Sequence, residues 1–275
     1  MSIGRVNVFS MICRFITVTF VLIFFASCFT LWIISDPHSI LTSLISGDMI
    51  HSFKLSIITA SVATLLVVPS SIMIGYTLSD DPFRGMSVAR TILDLPIAFP
   101  ELLIGILLLM LFGNTPLRDI LFHIGIQVPF TVTGIVCAQF FVALPYAVKM
   151  CYSAFSKVDT RLKFVSRSLG YGEFETFRNI TLPLSKDGIL AAIIVTFSRC
   201  IGCFGAVLIL GGGTYQRTDT LPVSLYLNLS YGNIDMSAAS GIFLMIIAFL
   251  TIFAIEKMGV NDVIRESGKS KNGSW

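Results

Sequence analysis

Residues 15–34 read FITVTFVLIFFASCFTLWII, twenty residues without one charged side chain. A hydrocarbon core about 30 Å thick is crossed by roughly 20 helical residues, so this stretch predicts a transmembrane helix. Comparable, largely apolar stretches follow at 55–78, 91–112, 125–148, 188–210 and 236–255. The sequence therefore predicts an all-α fold, a polytopic membrane bundle of six transmembrane helices within residues 15–257.

The composition of the whole chain agrees with a membrane protein. Hydrophobic residues make up 55% of it and charged residues 13%, and the mean hydropathy is +0.85. Globular chains are typically about 45–50% apolar and about 25% charged, and a soluble domain of this size could not bury the excess. A net charge of +3 is too small to indicate nucleic-acid binding.

The distribution of Lys and Arg predicts which side each connection occupies. Of the nineteen, fifteen fall on the side of the N-terminus, three on the opposite side, and Arg199 within a span. The positive-inside rule then makes both ends cytoplasmic, residues 1–14 and 258–275, in a multi-pass plasma-membrane protein. The longest connection, 149–187, becomes a cytoplasmic loop.

This loop contains signals for a short amphipathic helix. Asp159 or Ser156 can cap its start, and Gly170 suits the position just past its end. Leu162, Val165 and Leu169 form one apolar stripe beside basic residues. Such a helix either lies on the lipid surface or docks in a groove of a protein partner.

The residues at the end of this helix resemble a known signature. Leu169-Gly170, then nine residues, then Ile180-Thr-Leu-Pro183 is similar to the EAA motif of ATP-binding-cassette importer permeases. Other stretches resemble the molybdate, tungstate and sulfate permeases of that family. They are Val158-Asp-Thr-Arg-Leu, the segment from Phe197 to Ala206, Arg217-Thr-Asp-Thr-Leu-Pro222, and Asp94-Leu-Pro with the following Pro100 and Leu-Phe-Gly113. The resemblance covers about residues 55–255.

The resemblance implies a type I importer permease in which the loop is a coupling helix docked on a cytosolic ATPase. The residues that would bear the contact are Leu162, Phe164, Val165, Ser166, Arg167, Leu169, Gly170 and Tyr171. The family's Glu-Ala-Ala is here Phe164-Val165-Ser166, so the docking shape is expected to persist with altered electrostatics.

The function implied is import of an oxyanion, molybdate or tungstate first and sulfate next, by alternating access. The expected partners are a second copy of the chain, a cytosolic ATPase dimer, membrane lipid and an extracytoplasmic binding protein at the outer loops, around 214–233 and 114–124. No nucleic-acid partner is expected. The chain itself would be no enzyme and would hold no cofactor, because ATP and Mg²⁺ would bind the ATPase.

Arg199 is the most informative residue inside the predicted spans. A charge deep in a membrane helix is costly unless it finds a partner or water. The resembled family has a Glu four residues later, where this sequence has Cys203. Helix-rise arithmetic puts Glu101 at the same depth and Asp94 about two turns nearer the cytosol, so we predict an Arg199–Glu101 ion pair. Arg199 as a substrate contact or a water-exposed gate residue remains the alternative.

Other function classes receive less support from the sequence. An ion-coupled secondary transporter would need proton- or sodium-carrying carboxylates, for which Asp94 and Glu101 are the candidates, and no inverted repeat is visible. No metal, nucleotide or catalytic set is recognisable. Cys200 and Cys203 have CxxC spacing without the second pair or the His of a zinc site, which favours packing between helices.

Overall fold

The computed structural model describes residues 8–34, 37–80 and 84–257, and every regular element within them is helical. The helices are α1 (Val8–Ile34), α2 (Pro37–Leu44), α3 (Gly47–Asp80), α4 (Met86–Ala98), α5 (Glu101–Gly113), α6 (Pro116–His123), α7 (Val132–Ser156), α8 (Thr160–Ser168), α9 (Glu173–Thr176), a π-helical turn (Phe177–Thr181), α10 (Leu182–Leu184), α11 (Lys186–Ile201), α12 (Gly205–Gly211), α13 (Leu221–Ser230) and α14 (Ile234–Lys257). The predicted terminal segments at 1–7 and 258–275 lie outside the described residues.

Four of the described helices are long and apolar enough to cross a membrane, and there are up to six spans if each of two bent helix pairs counts as one. The long helices are α1, α3, α7 and α14, and the bent pairs are α4 with α5 and the segment Glu173–Leu184 with α11. The described helices therefore confirm the predicted all-α membrane bundle, with four to six candidate spans.

The centre of the bundle is the contact between α3 and α7, which small residues make close. A Cβ atom added to Gly75 of α3 would lie 2.9 Å from the Cβ of Cys151 on α7. Ala60 and Ala63 of α3 and Ala143 and Ala147 of α7 are fully buried in the same core. Membrane helices gain their contacts through such small side chains, which let the backbones approach.

The third predicted span, 91–112, is not one helix. α4 ends at Ala98 and α5 begins at Glu101, and the two axes differ by 115°. Phe99 is extended and Pro100 has no backbone N–H, so the helical hydrogen-bond pattern stops there.

The predicted fourth and fifth spans also need correction. The fourth, 125–148, begins only at Val132, where the Thr131 hydroxyl accepts a hydrogen bond from the Gly134 N–H, and it continues to Ser156. The loop predicted to begin at residue 149 therefore begins after Ser156. The fifth, 188–210, is interrupted after Ile201 and resumes as α12 at Gly205.

Candidate functional site

The two interrupted spans meet at their breaks. Gly205, the first residue of α12, lies so close to α5 that an added Cβ would be 2.9 Å from the Leu102 backbone nitrogen. Further along, a Cβ on Gly105 of α5 would come within 2.9 Å of the Ala206 Cα. The N-terminal ends of α5 and α12 therefore lie next to each other in the bundle. We call this place the break site.

Glu101 joins the two helices at the break site. Its Oε2 atom accepts hydrogen bonds from the backbone N–H groups of Phe204, at 3.0 Å, and Gly205, at 3.2 Å. These groups stand at the start of α12, where N–H groups have no partner within their own helix. A carboxylate there also complements the positive end of the helix dipole. Glu101 thus caps α12 from a different helix.

Arg199 lies beside the same carboxylate. Its Nη2 atom is 3.6 Å from Glu101 Oε1 and donates a hydrogen bond to the Tyr146 hydroxyl at 3.2 Å. The guanidinium carbon is also 4.4 Å from the centre of the Tyr146 ring, within the range of a cation–π contact. The side chains of Arg199 and Glu101 are 39% and 29% exposed. The structure therefore brings together the two residues that the sequence singled out as a pair.

Asp94 has a different partner, one that the sequence analysis missed. Its Oδ2 atom lies 3.3 Å from Lys149 Nζ on α7. One turn before Asp94 on α4, the Arg90 guanidinium lies 4.3 Å from the centre of the Tyr152 ring. Lys149 and Tyr152 belong to α7 because this helix continues to Ser156, beyond the predicted end of the fourth span at residue 148.

The predicted coupling segment is α8, and its limits follow local sequence signals. Asp159 caps the start, where its Oδ1 atom accepts a hydrogen bond from the Arg161 N–H at 2.8 Å. Gly170, just beyond the end, has a φ of +89°, the left-handed region that favours glycine. Of the two predicted caps, Asp159 and Ser156, the structure uses Asp159.

Most of the predicted contact residues on this segment are exposed. They are Leu162, Phe164, Val165, Arg167, Leu169, Gly170 and Tyr171, and we call this set the α8 face. Phe164 and Leu169 are the most exposed of its large apolar side chains, at 72% and 73%.

Ser166 does not belong to the exposed set, which corrects the prediction that it bears a contact. It is buried, and its hydroxyl lies 3.0 Å from the Thr176 hydroxyl of α9. One turn earlier, Lys163 is also buried and forms an ion pair with Asp80 at the end of α3. Positions 163 and 166 share the inner face of α8 because they are three apart on a helix.

The stretch Arg217–Pro222 is only partly available to a partner. Asp219 is buried, accepts a hydrogen bond from the Ser52 hydroxyl at 3.2 Å, and lies 3.7 Å from His51 Nε2. Burial raises the pKa of the Asp219 carboxyl. Tyr215 and Tyr231 are exposed, so they remain candidates for contact within the predicted outer loop.

Comparison with known proteins assigns the family. Residues 71–258 match the profile of the family described as "Binding-protein-dependent transport system inner membrane component". The matched segment contains the break site and α8. The chain belongs to this family.

Several proteins resemble this permease along most of its length. A probable molybdenum ABC transporter permease protein of Haloferax volcanii is 34% identical, with 82% of this chain and 81% of that protein covered. The molybdate/tungstate transport system permease protein WtpB of Methanocaldococcus jannaschii is 32% identical, covering 83% and 88%.

The fold also has counterparts among solved structures. A chain of a bacterial alginate ABC transporter, crystallised in complex with an alginate pentasaccharide-bound periplasmic protein, aligns with a TM-score of 0.72. The alignment covers 92% of this permease and 93% of that chain at 17% sequence identity, so the likeness concerns the fold alone. Together with the family match, the apolar helices make the permease a multi-pass membrane protein.

Proposed function

We propose that this permease is the membrane-spanning subunit of an ATP-driven oxyanion importer, with molybdate or tungstate as the first candidates and sulfate next. The similar proteins named as molybdenum and molybdate/tungstate permeases support this cargo. The observation that carries the mechanism is the α8 face, which leaves five large apolar side chains exposed beside two arginines outside the long apolar helices. The apolar side chains are Leu162, Phe164, Val165, Leu169 and Tyr171. The arginines are Arg167, which belongs to the α8 face, and the adjacent exposed Arg161.

An exposed apolar surface of this kind is suited to a protein groove. Its occupant in our proposal is the cytosolic ATPase dimer, which binds ATP and Mg²⁺ and drives alternating access, while this chain performs no chemistry and holds no cofactor. The inner side of α8 is held by the Lys163–Asp80 ion pair and the Ser166–Thr176 contact. A displacement of α8 by the ATPase would therefore pass directly to α3 and α9.

The rest of the assembly follows from this role. Two copies of the permease enclose the pathway, both termini face the cytosol, and a binding protein delivers the anion from the opposite side. The alginate transporter's complex with a periplasmic protein is a precedent for this last contact. An ion-coupled mechanism is disfavoured, because Asp94 and Glu101 are engaged with Lys149 and Arg199 instead of being free to carry a cation.

Truncating the α8 face should weaken the grip of the ATPase. We expect Phe164→Ala with Leu169→Ala to reduce ATPase affinity by about 30-fold, the effect of losing roughly 2 kcal/mol at an interface centre. The measurement is titration of the purified ATPase onto the reconstituted permease, followed by ATP-dependent molybdate uptake into vesicles. Phe249→Ala, which truncates a comparably exposed aromatic on α14 (70%), is the control. Unchanged affinity, or uptake driven by an ion gradient without ATPase, would refute the proposal.

Gly170 should be needed for coupling because of its left-handed backbone conformation, and not because neighbouring atoms exclude a side chain. Among the described residues, none other than its chain neighbours places an atom within 4 Å of a Cβ added there, yet φ is +89°. A branched side chain in the left-handed region costs roughly 1–2 kcal/mol, so Gly170→Val should shift the end of α8 and lower the molybdate imported per ATP hydrolysed. Gly170→Asn, which tolerates this conformation, should keep most of the coupling. Equal coupling in both variants would contradict this explanation.

A further inference from the structure

One side of α7 carries a lysine between two tyrosines, and each tyrosine contacts an arginine. Tyr146, Lys149 and Tyr152 are three residues apart, so they lie on one side of the helix at steps of roughly 4.5 Å. Tyr146 contacts Arg199 and Tyr152 contacts Arg90. Arg199, Lys149 and Arg90 are thus spread over about 9 Å along α7. We call these three residues the cation series.

Arg199 and Lys149 lie within the depth of the bilayer, Arg90 lies near its edge, and the side chains of the first two are not enclosed by the described residues around them. Lys149 is 17 residues beyond Val132, about 26 Å of helix, inside a hydrocarbon core about 30 Å thick. Its side chain is 54% exposed, and that of Arg199 is 39% exposed. Charges at this depth that face lipid are costly, so ionisable side chains in spans pair with one another and face the bundle interior or a water-filled cavity. The partial exposure of Lys149 and Arg199 fits a cavity.

The cations keep capacity to bind an anion. Glu101 and Asp94 neutralise Arg199 and Lys149, but within the described residues no carboxylate lies at ion-pair distance from Arg90. The series therefore retains a net positive charge, and the partly exposed guanidinium of Arg199 and ammonium of Lys149 carry N–H donors that suit the oxygens of a tetrahedral oxyanion.

We propose that the transported oxyanion passes along the cation series, from Arg199 at the break site through Lys149 to Arg90, on its way to the cytosol. This inference rests on the proposed function. Rapid passage needs binding that is favourable at each step and weak enough to release the ion. Glu101 and Asp94 keep the binding of the oxyanion weak, because each carboxylate competes with the oxyanion for its cation.

The central test changes the charge at Lys149. In the complete reconstituted complex, with ATPase and binding protein, we expect Lys149→Gln to lower the initial rate of molybdate uptake about tenfold and Lys149→Arg to retain most of it. Lys157→Gln, which removes an exposed cation just past the end of α7, is the matched control and should leave uptake unchanged. Arg90→Gln should act in the same direction as Lys149→Gln.

Two further measurements separate passage of the anion from support of the fold. If Lys149 serves only to hold Asp94, the double variant Lys149→Gln, Asp94→Asn should restore uptake; we expect it to remain low. In Lys149→Cys, attaching a 2-aminoethyl thiol group should recover most of the uptake, whereas a sulfonatoethyl group should keep it below a tenth, with the unsubstituted protein treated in parallel.

The outcomes distinguish the two proposals. If the unsubstituted complex imports no oxyanion, the proposed function is wrong. If it imports molybdate and the rate does not depend on the charge at positions 149 and 90, the pathway is wrong while the proposed function stands.

Discussion

Glu101→Ala is expected to destabilise the permease by about 2–4 kcal/mol and to abolish most transport. The substitution removes the acceptor of the Phe204 and Gly205 N–H groups and leaves Arg199 without its carboxylate. Losing a helix cap costs typically about 1 kcal/mol. Leaving a fully buried charge unpaired costs about 3–5 kcal/mol, and the partial exposure of both side chains places this pair below that range.

Two further variants divide the effect between charge and hydrogen bonding. Glu101→Gln keeps an oxygen that can accept from the α12 N–H groups but removes the negative charge, so its melting temperature should fall between those of Glu101→Ala and the unsubstituted protein. Glu101→Asp keeps the negative charge on a side chain one methylene shorter, so its melting temperature should also lie above that of Glu101→Ala. Glu256→Ala, at an exposed position near the end of α14, is the control. A melting temperature and uptake rate for Glu101→Ala equal to those of the control would show that the break site does not depend on this carboxylate.

The second large effect is expected at the contact between α8 and α3. Lys163 and Asp80 are 8% and 7% exposed, so Lys163→Met leaves a carboxylate buried without its cation. Such a change costs about 3–5 kcal/mol, whereas replacing both charges by apolar groups is often close to neutral. We expect Lys163→Met to lower the melting temperature sharply and the double variant Lys163→Met, Asp80→Leu to recover most of it.

The comparison needs a lysine that makes no such contact. Lys157 is exposed at the end of α7, and Lys157→Met should be silent. Thermal unfolding in detergent gives the order of stability, and uptake per ATP hydrolysed gives the effect on coupling. If the single and double variants melt together, the ion pair does not anchor α8.

Much of the architecture was predictable because its signals are local. The apolar stretches gave the membrane bundle, and their lengths follow from the thickness of a bilayer. Asp159 and Gly170 gave the limits of α8, since a side-chain cap and a left-handed residue act within a few residues of the chain. Pro96 and Pro100 are local signals for a break in the third span, yet that span was predicted as one helix.

The second break carried only a weak local signal. Residues 202–204 contain no proline, the stretch 188–210 is uncharged apart from Arg199, and only Gly202 and Gly205 mark the interruption. The N–H groups of Phe204 and Gly205 lack partners within their own helix. Glu101, which lies 103 and 104 positions earlier in the chain, accepts their hydrogen bonds. The prediction that Ser166 bears a contact was wrong for a similar reason. The direction of its side chain depends on Thr176 and on the burial of neighbouring Lys163.

The sequence alone determined that this chain enters a membrane, how many apolar stretches it has, and where its short basic amphipathic helix ends, and it limited the start of that helix to two candidate caps, Ser156 and Asp159. Only the tertiary structure decided that Lys149 meets Asp94 and that Lys163 meets Asp80, where the fifth stretch breaks, and which side of α8 faces outward. Hydrophobicity and capping act over one or two helical turns and can be read along the chain. A buried ion pair or a cap supplied by another helix exists only after distant segments have packed together.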